Sequence, residues 1–558
     1  MTEDRPARTP SAVDQVAEDW VTTLVDLEPT YATYLGIPGR TGEYGDTSPA
    51  GADALAEAAR KTRAALNAAE AVDDVDQVTK ADLGAELDLQ LEAYDRGLHL
   101  RDLNVIASPA QHVRDVIDLM PTATEQDWTD IASRFQSLPD ALEGYRETLL
   151  EGVRRGITPA KRQVAAVAEQ AARNARAGGF FDQTVEGAAL ENGALPESLQ
   201  NDLRRGADAA IAAYRSLGWF LEHELLPQAT AVDAVGRDEY ELHSRHFLGA
   251  VVDLDETYEW GIEELARMRD EQERIADSIE SGASVARAIE LLDADPARML
   301  HGTDALQEWM QRTADEAVRE LDGKYFDIPD PIKRIECRIA PTNEGGIYYT
   351  GPSDDFARAG RMWWSVPDGV TKFGTWREKT TVYHEGVPGH HLQISQAVYN
   401  RGELNTWRRQ LAGPSGHVEG WALYAERLMD ELGFLTDAGD RLGMLDGQRM
   451  RAARVVLDIG VHLQKTNPDG HGWTYEYALE FMRQNVNMDD AFVQFEVNRY
   501  FGWPGQAPSY KVGQRVWESI RDEVAAREGS SFDLKAFHHR ALTLGGVGLD
   551  TLRTALLG

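Results

Sequence analysis

Residues 254–280, LDETYEWGIEELARMRDEQERIADSIE, place apolar side chains at Tyr258, Ile262, Leu265, Ile275 and Ile279, with charge in between. Steps of three and four put them mostly on one side of a helix. Upstream the texture repeats, and roughly the first 330 residues read as helix after helix. Residues 146–177, RETLLEGVRRGITPAKRQVAAVAEQAARNARA, are alanine-rich and broken near Gly156–Pro159. A looser stretch, 178–197, reads as a loop or boundary.

Downstream the period changes. Ile335, Cys337 and Ile339 alternate with charged residues, 341–346 (PTNEGG) has turn composition, and Ile347–Thr350 follows. Met362–Val366, closed by Pro367, is a third short run. These predict a small antiparallel sheet, after which helical patterns resume, interrupted at 499–510 (RYFGWPGQAPSY). The expected fold class is mostly α with a small antiparallel β-sheet.

The 558 residues are 42% hydrophobic and 27% charged, the balance of a folded protein with a sizeable core. A net charge of −36 without any Lys/Arg cluster argues against a nucleic-acid partner. The single cysteine, Cys337, excludes an internal disulfide framework and suits a packing role. MTEDRPARTPSAVDQVAEDW at the start has no apolar leader, and no segment approaches membrane-spanning length. A cytoplasmic monomer or homodimer with no membrane partner is expected.

Directly after the predicted sheet stands TVYHEGVPGHHLQ, residues 381–393. Zinc held by two histidines of one helix needs them four residues apart, yet Pro388 occupies that place after His384. On an unbroken helix His390 lies about 240° around and about 9 Å along from His384. Proline removes a helical N–H, and Gly386 and Gly389 bend cheaply. The Val-Pro-Gly insert is therefore expected to loop out and return His390 beneath His384, with His391 as the alternative ligand. Four of the fourteen histidines (384, 390, 391 and 417) fall in this window beside Glu385 and Glu419.

Glu419, in the helical segment 417–431 (HVEGWALYAERLMDE), is the expected third ligand. Glu426 lies two turns on and either orients a ligand or is a solvated carboxylate paired with arginine. His417 is either a supporting residue or a plain helix residue. Glu385 projects to one side of the metal, where it takes a proton from water and passes it to the leaving group. One Zn2+ per chain is expected. A di-iron site would need Glu-x-x-His pairs, but Pro388 and Ala422 stand three residues after Glu385 and Glu419. A purely structural zinc favours cysteine, and here Cys337 is alone.

The chain resembles the bacterial family labelled domain of unknown function 885, whose hallmark is HExxPGHHxQ followed by EGWALYAE. Here those are His384–Gln393 and Glu419–Glu426. The likeness takes in Phe373–Trp376, Asp458–His462, Arg499-Tyr500, Pro504–Lys511 and the terminal LTLGGVGLDTL, where glycine stands in place of an expected proline. That family is similar to helical zinc peptidases such as neurolysin, angiotensin-converting enzyme and carboxypeptidase Taq. The resemblance implies a helical bowl with a deep cleft and the sheet flanking the active-site helix. It divides the chain into an N-terminal helical half (1–225), a helical connection and cleft wall (226–332) and a catalytic half (333–558).

By the same resemblance an edge strand holds peptide near Tyr348 and Tyr349. Tyr510, in a Gly/Pro-rich loop, or else Tyr500, stabilises the oxyanion. Arg499 and Lys511 would hold a substrate carboxylate. His462, among Val455, Val456, Leu457, Val461 and Leu463, is either catalytic or a packed core histidine. The implied activity is a zinc-dependent hydrolase of short peptides, as an exopeptidase or dipeptidase, or alternatively of small amides such as acylated amino acids.

Overall fold

The structure is a computed structural model that describes residues 8–190, 193–340 and 346–558. Two long helices, α1 (Glu125–Arg155) and α2 (Glu197–Phe220), pack together in the N-terminal part. They contribute to a core running from Leu103 to Ala229. The expected break after α1 falls at Gly156, whose φ of 72° ends the helix, and the next helix opens at Lys161. The stretch expected to be loose, 178–197, carries a short helix at Phe180–Glu186, and 191–192 lie outside the described residues.

The rest is built mainly by α3 (Leu254–Ile279), α4 (Thr375–Glu385), α5 (His390–Tyr399), α6 (Ser415–Glu431), α7 (Ala438–His462), α8 (Asp490–Gly502) and α9 (Ser509–Glu528). Asp253 caps α3 by accepting the N–H groups of Asp255 and Glu256. Tyr258, Leu265, Met268 and Ile275 of α3 are buried in the same core as Val455 and Val456 of α7. That core runs from Tyr240 to Leu552 and encloses Trp421 of α6 and Trp517 of α9 completely.

Five short strands occur among the described residues. β1 (Met299–His301) pairs antiparallel with β5 (Lys372–Gly374). β4 (Gly360–Trp364) is the middle of a three-stranded sheet, antiparallel to β3 (Ile347–Thr350) and parallel to β2 (Ile335–Ile339). The expected sheet is present, with the first two strands at the expected residues, the third two residues earlier than the expected Met362–Val366, and one pairing of different sense. The third strand inserts between the first two, so β2 lies beside β4 instead of β3. The turn expected at 341–346 falls almost wholly on 341–345, outside the described residues.

Cys337 and Met362 of this sheet share a buried cluster with Val382 of α4, so the sheet backs the helix that carries His384. Among the described residues no helix is long and apolar enough to cross a membrane.

Candidate metal centre

The site begins with the way α4 stops. The Gly386 N–H donates to the Val382 carbonyl at 2.9 Å, and then the chain leaves helical geometry through a cis Val387–Pro388 peptide. The Gly389 N–H returns to the Tyr383 carbonyl at 3.0 Å, and His391 N–H bonds the Gly386 carbonyl at 3.1 Å. This path runs so close to the end of α4 that a Cβ on Gly389 would sit 1.9 Å from the His384 carbonyl oxygen. Only glycine fits there. From α6 the Trp421 indole N–H donates to the Pro388 carbonyl at 2.9 Å, tying the break to the helix that carries Glu419.

The break brings His390, the first residue of α5, back to His384. Their ring centroids are 4.8 Å apart at 86°. The Glu419 Oε2 lies 3.3 Å from His384 Nε2 and 3.6 Å from His390 Nε2. One donor atom from each residue falls within 4.8 Å of the others. Neighbouring ligand atoms around a tetrahedral zinc lie about 3.3 Å apart, so both separations from Glu419 suit a shared ion.

Two further observations fit a cation. Glu419 Oε2 and His390 Nδ1 are buried without a hydrogen-bond partner, an arrangement that costs free energy unless something else satisfies the oxygen. And the His384 Nδ1–H donates to Glu426 Oε1 at 2.7 Å, which leaves Nε2 as the lone-pair nitrogen on the Glu419 side. Glu426 is itself held by Thr380 Oγ1 at 3.0 Å and Gln448 Nε2 at 3.4 Å. It is buried, so the solvated-carboxylate reading of Glu426 does not hold.

The electrostatics follow from this crowding. Burial lowers the pKa of His384, but the Glu419 and Glu426 carboxylates facing its two nitrogens outweigh it and carry the imidazole well up. Glu419 moves the opposite way, below the usual carboxylate range, because the facing imidazoles overcome its desolvation. Glu385 is buried beside the cluster and shifts upward, first by desolvation, with the Glu419 charge adding to it. A carboxyl raised in this way is nearer the pKa wanted of a general base at neutral pH.

The structure separates the two alternative histidines. His391 faces away, its Nε2 bonded to the Ile332 carbonyl at 2.6 Å and its Nδ1 to the Tyr349 hydroxyl at 2.9 Å. It fastens α5 to β3, and β4 yields the room: a Cβ on Gly360 would meet the Tyr349 hydroxyl at 1.9 Å. Tyr349 is thereby committed, whereas Tyr348 is exposed and stacks on Trp363. His417 is buried against Trp517, outside the cluster.

The downstream residues divide as well. Tyr510 stands in the first turn of α9, not in a loop, and its hydroxyl feels burial and then the Glu419 charge, both raising its pKa. Tyr500 is fully buried, accepts from Arg454 Nε at 2.7 Å and donates to Glu496. Arg499 gives Nη1 to Glu496 at 3.0 Å and Nη2 to Gln506 at 2.6 Å, and Lys511 is spent on Glu264, Gln448 and Gln514. These cations already have partners, which corrects the expectation that they await a substrate carboxylate. His462 is a core histidine, wholly buried, stacked on Tyr240 and bonded to the Tyr500 carbonyl at 2.8 Å, so its catalytic reading is set aside.

Sequence reasoning missed Thr380 and Gln448, which hold Glu426, and Arg451, whose charge acts on Glu385 and Glu426. Gln448, Arg451, Asp458 and His462 share one side of α7, with the apolar Val455 completing the three- and four-residue steps between them. Polar residues at that spacing inside an apolar helix mark a buried polar stripe, and that signal was available.

The family described as "Bacterial protein of unknown function (DUF885)" matches residues 29–556. No curated protein matches the chain. Among solved structures, a "putative lipoprotein" from Colwellia psychrerythraea superposes with a TM-score of 0.82 at 21% identity, covering 98% of this chain and 99% of that one. A "putative lipoprotein of unknown function" from Shewanella oneidensis gives 0.74 at 19% identity, covering 98% and 100%. At these identities the likeness establishes a shared fold over essentially the whole chain.

Proposed function

The chain belongs to the bacterial family of unknown function DUF885, and for this member we propose a zinc-dependent hydrolase that cleaves short peptides or closely similar small amides. The observation that carries the reading is the unpartnered, buried Glu419 Oε2 facing the ε-nitrogens of His384 and His390. His384, His390 and Glu419 would hold the ion, and Glu426 would orient the first of them. When bound, zinc supplies Lewis acidity that activates water and polarises a carbonyl.

The chain's own residues account for the remaining chemistry. Glu385 takes a proton from the attacking water and returns it to the departing amine. The Tyr510 hydroxyl donates to the oxygen on which negative charge develops. The break at Gly386–Gly389, anchored by Trp421, brings the two imidazoles to one place. The lipoprotein description stays with the two neighbours that bear it.

The test is Glu385→Gln, assayed on short peptides and on acylated amino acids. Elemental analysis should find one zinc per chain in both proteins, while turnover falls by about 10²–10⁴-fold in the variant. Turnover at the wild-type rate would overturn the role of Glu385, and purified protein that refuses zinc would overturn the whole reading.

A further inference from the structure

Around the cluster the cations of α7, α8 and α9 are almost all paired. Arg454 holds Glu496 at 2.7 Å, Arg499 holds Glu496 and Gln506, and Lys511 holds Glu264. Arg451 differs. Its side chain makes no hydrogen bond or ion pair with any described residue, and its buried Nε has no partner. Its guanidinium lies 5.9 Å from the centre of the Tyr510 ring, and its charge acts on Glu385, Glu426 and Tyr510. The residue is half-buried. A guanidinium left without an anion, beside the residues that would perform the reaction, has a planar two-pronged donor to offer.

We propose that Arg451 receives the free α-carboxylate of the substrate, so that the site works at the C-terminal end of a peptide or on a carboxylate-bearing amide. This rests on the hydrolase reading above. It goes further by naming what the substrate must carry. The competing role for Arg451 is to balance the charge of Glu385 and Glu426, which any cation of that length would do.

Binding is measured by calorimetry in the zinc-loaded Glu385→Gln protein. The probes are N-acetyl-alanyl dipeptides and their C-terminal amides, varied in the last residue. The free acids should bind at least tenfold more tightly than the amides. Adding Arg451→Gln should weaken the acids by about 10- to 100-fold, the scale of a lost charged hydrogen bond, and leave the amides unchanged. Arg451→Lys should fail to restore the preference, because an ammonium lacks the fork. Equal binding of acid and amide, survival of the preference in Arg451→Gln, or full rescue by lysine would each overturn the assignment. If zinc-loaded wild-type protein cleaves unblocked short peptides but neither probe, this assignment falls and the hydrolase reading stands; if it cleaves no short peptide or small amide, both fall. If it hydrolyses both probes equally, only the role of Arg451 falls.

Discussion

Two buried polar regions lie in the same half of the molecule, and they treat their charges in opposite ways. In one, Arg454 spans Glu496 and Tyr500 while Arg499 spans Glu496 and Gln506, so that each carboxylate oxygen of Glu496 has a donor. In the other, Glu419 presents a buried oxygen with no donor to two imidazole nitrogens, and Arg451 stands nearby without an anion. A region that satisfies its own charges has a structural task. One that leaves matching charges unfilled is built for something that arrives from outside.

Two tyrosines sharpen that contrast, because each differs from phenylalanine by one hydroxyl. Tyr500 is wired into the closed network, whereas Tyr510 lies between the two, its ring centre 5.2 Å from the Arg454 guanidinium and 5.9 Å from that of Arg451, with the Glu419 charge acting on its hydroxyl. Tyr510→Phe should lower kcat by about 10²–10³-fold, the usual loss for one oxyanion donor, with the urea midpoint unchanged. Tyr500→Phe should do the reverse: kcat holds, and unfolding free energy drops by about 1–3 kcal/mol as buried Arg454 and Glu496 lose a partner. If the two variants behaved alike, the division between the regions would be wrong.

A smaller effect is expected one step back from the ligands. Glu426→Gln keeps the size of the side chain but weakens its hold on His384 Nδ1–H, so zinc affinity should fall by about 10- to 100-fold. Competition with a chelator of known affinity measures this directly. Unchanged affinity would make Glu426 a member of the closed region after all.

Much of the fold was legible because helical periodicity is local. The face of residues 254–280 and the break at Gly156 follow from spacing and from backbone chemistry alone. The strands too were readable at 335–339 and 347–350, but their order was not, since nothing in a short alternating run says which neighbour it will pair with. At the site, the unusual spacing of His384 and His390 could be resolved because proline and two glycines permit only a break between them. The choice between His390 and His391 could not. It depends on Ile332 and Tyr349, 59 and 42 residues away from His391, which claim both of its nitrogens. Lys511 and Arg499 misled for the same reason: a sequence shows the cation but not the distant Glu264 or Gln506 that holds it.

Acid titration probes the same division with the gentlest change. Burial would raise the Glu496 carboxyl, but Arg454 and then Arg499 outweigh it and bring the pKa from 4.5 to about 2. Its folded value is thus depressed relative to the unfolded chain. The stability it contributes is complete above about pH 4.5 and is lost as pH falls towards 2, with a slope of at most about 1.4 kcal/mol per pH unit for one proton. Glu385 is shifted the other way, upward through desolvation, so acid takes no stabilisation from it in that window. Urea unfolding of the metal-free protein between pH 5 and 2.5 should therefore show a shallower acid decline in Glu496→Gln than in wild type, on top of a lower starting stability. Glu385→Gln should leave that decline at least as steep as in wild type. An acid limb flattened by Glu385→Gln instead would mean that the closed network is at the metal cluster and the open site is elsewhere.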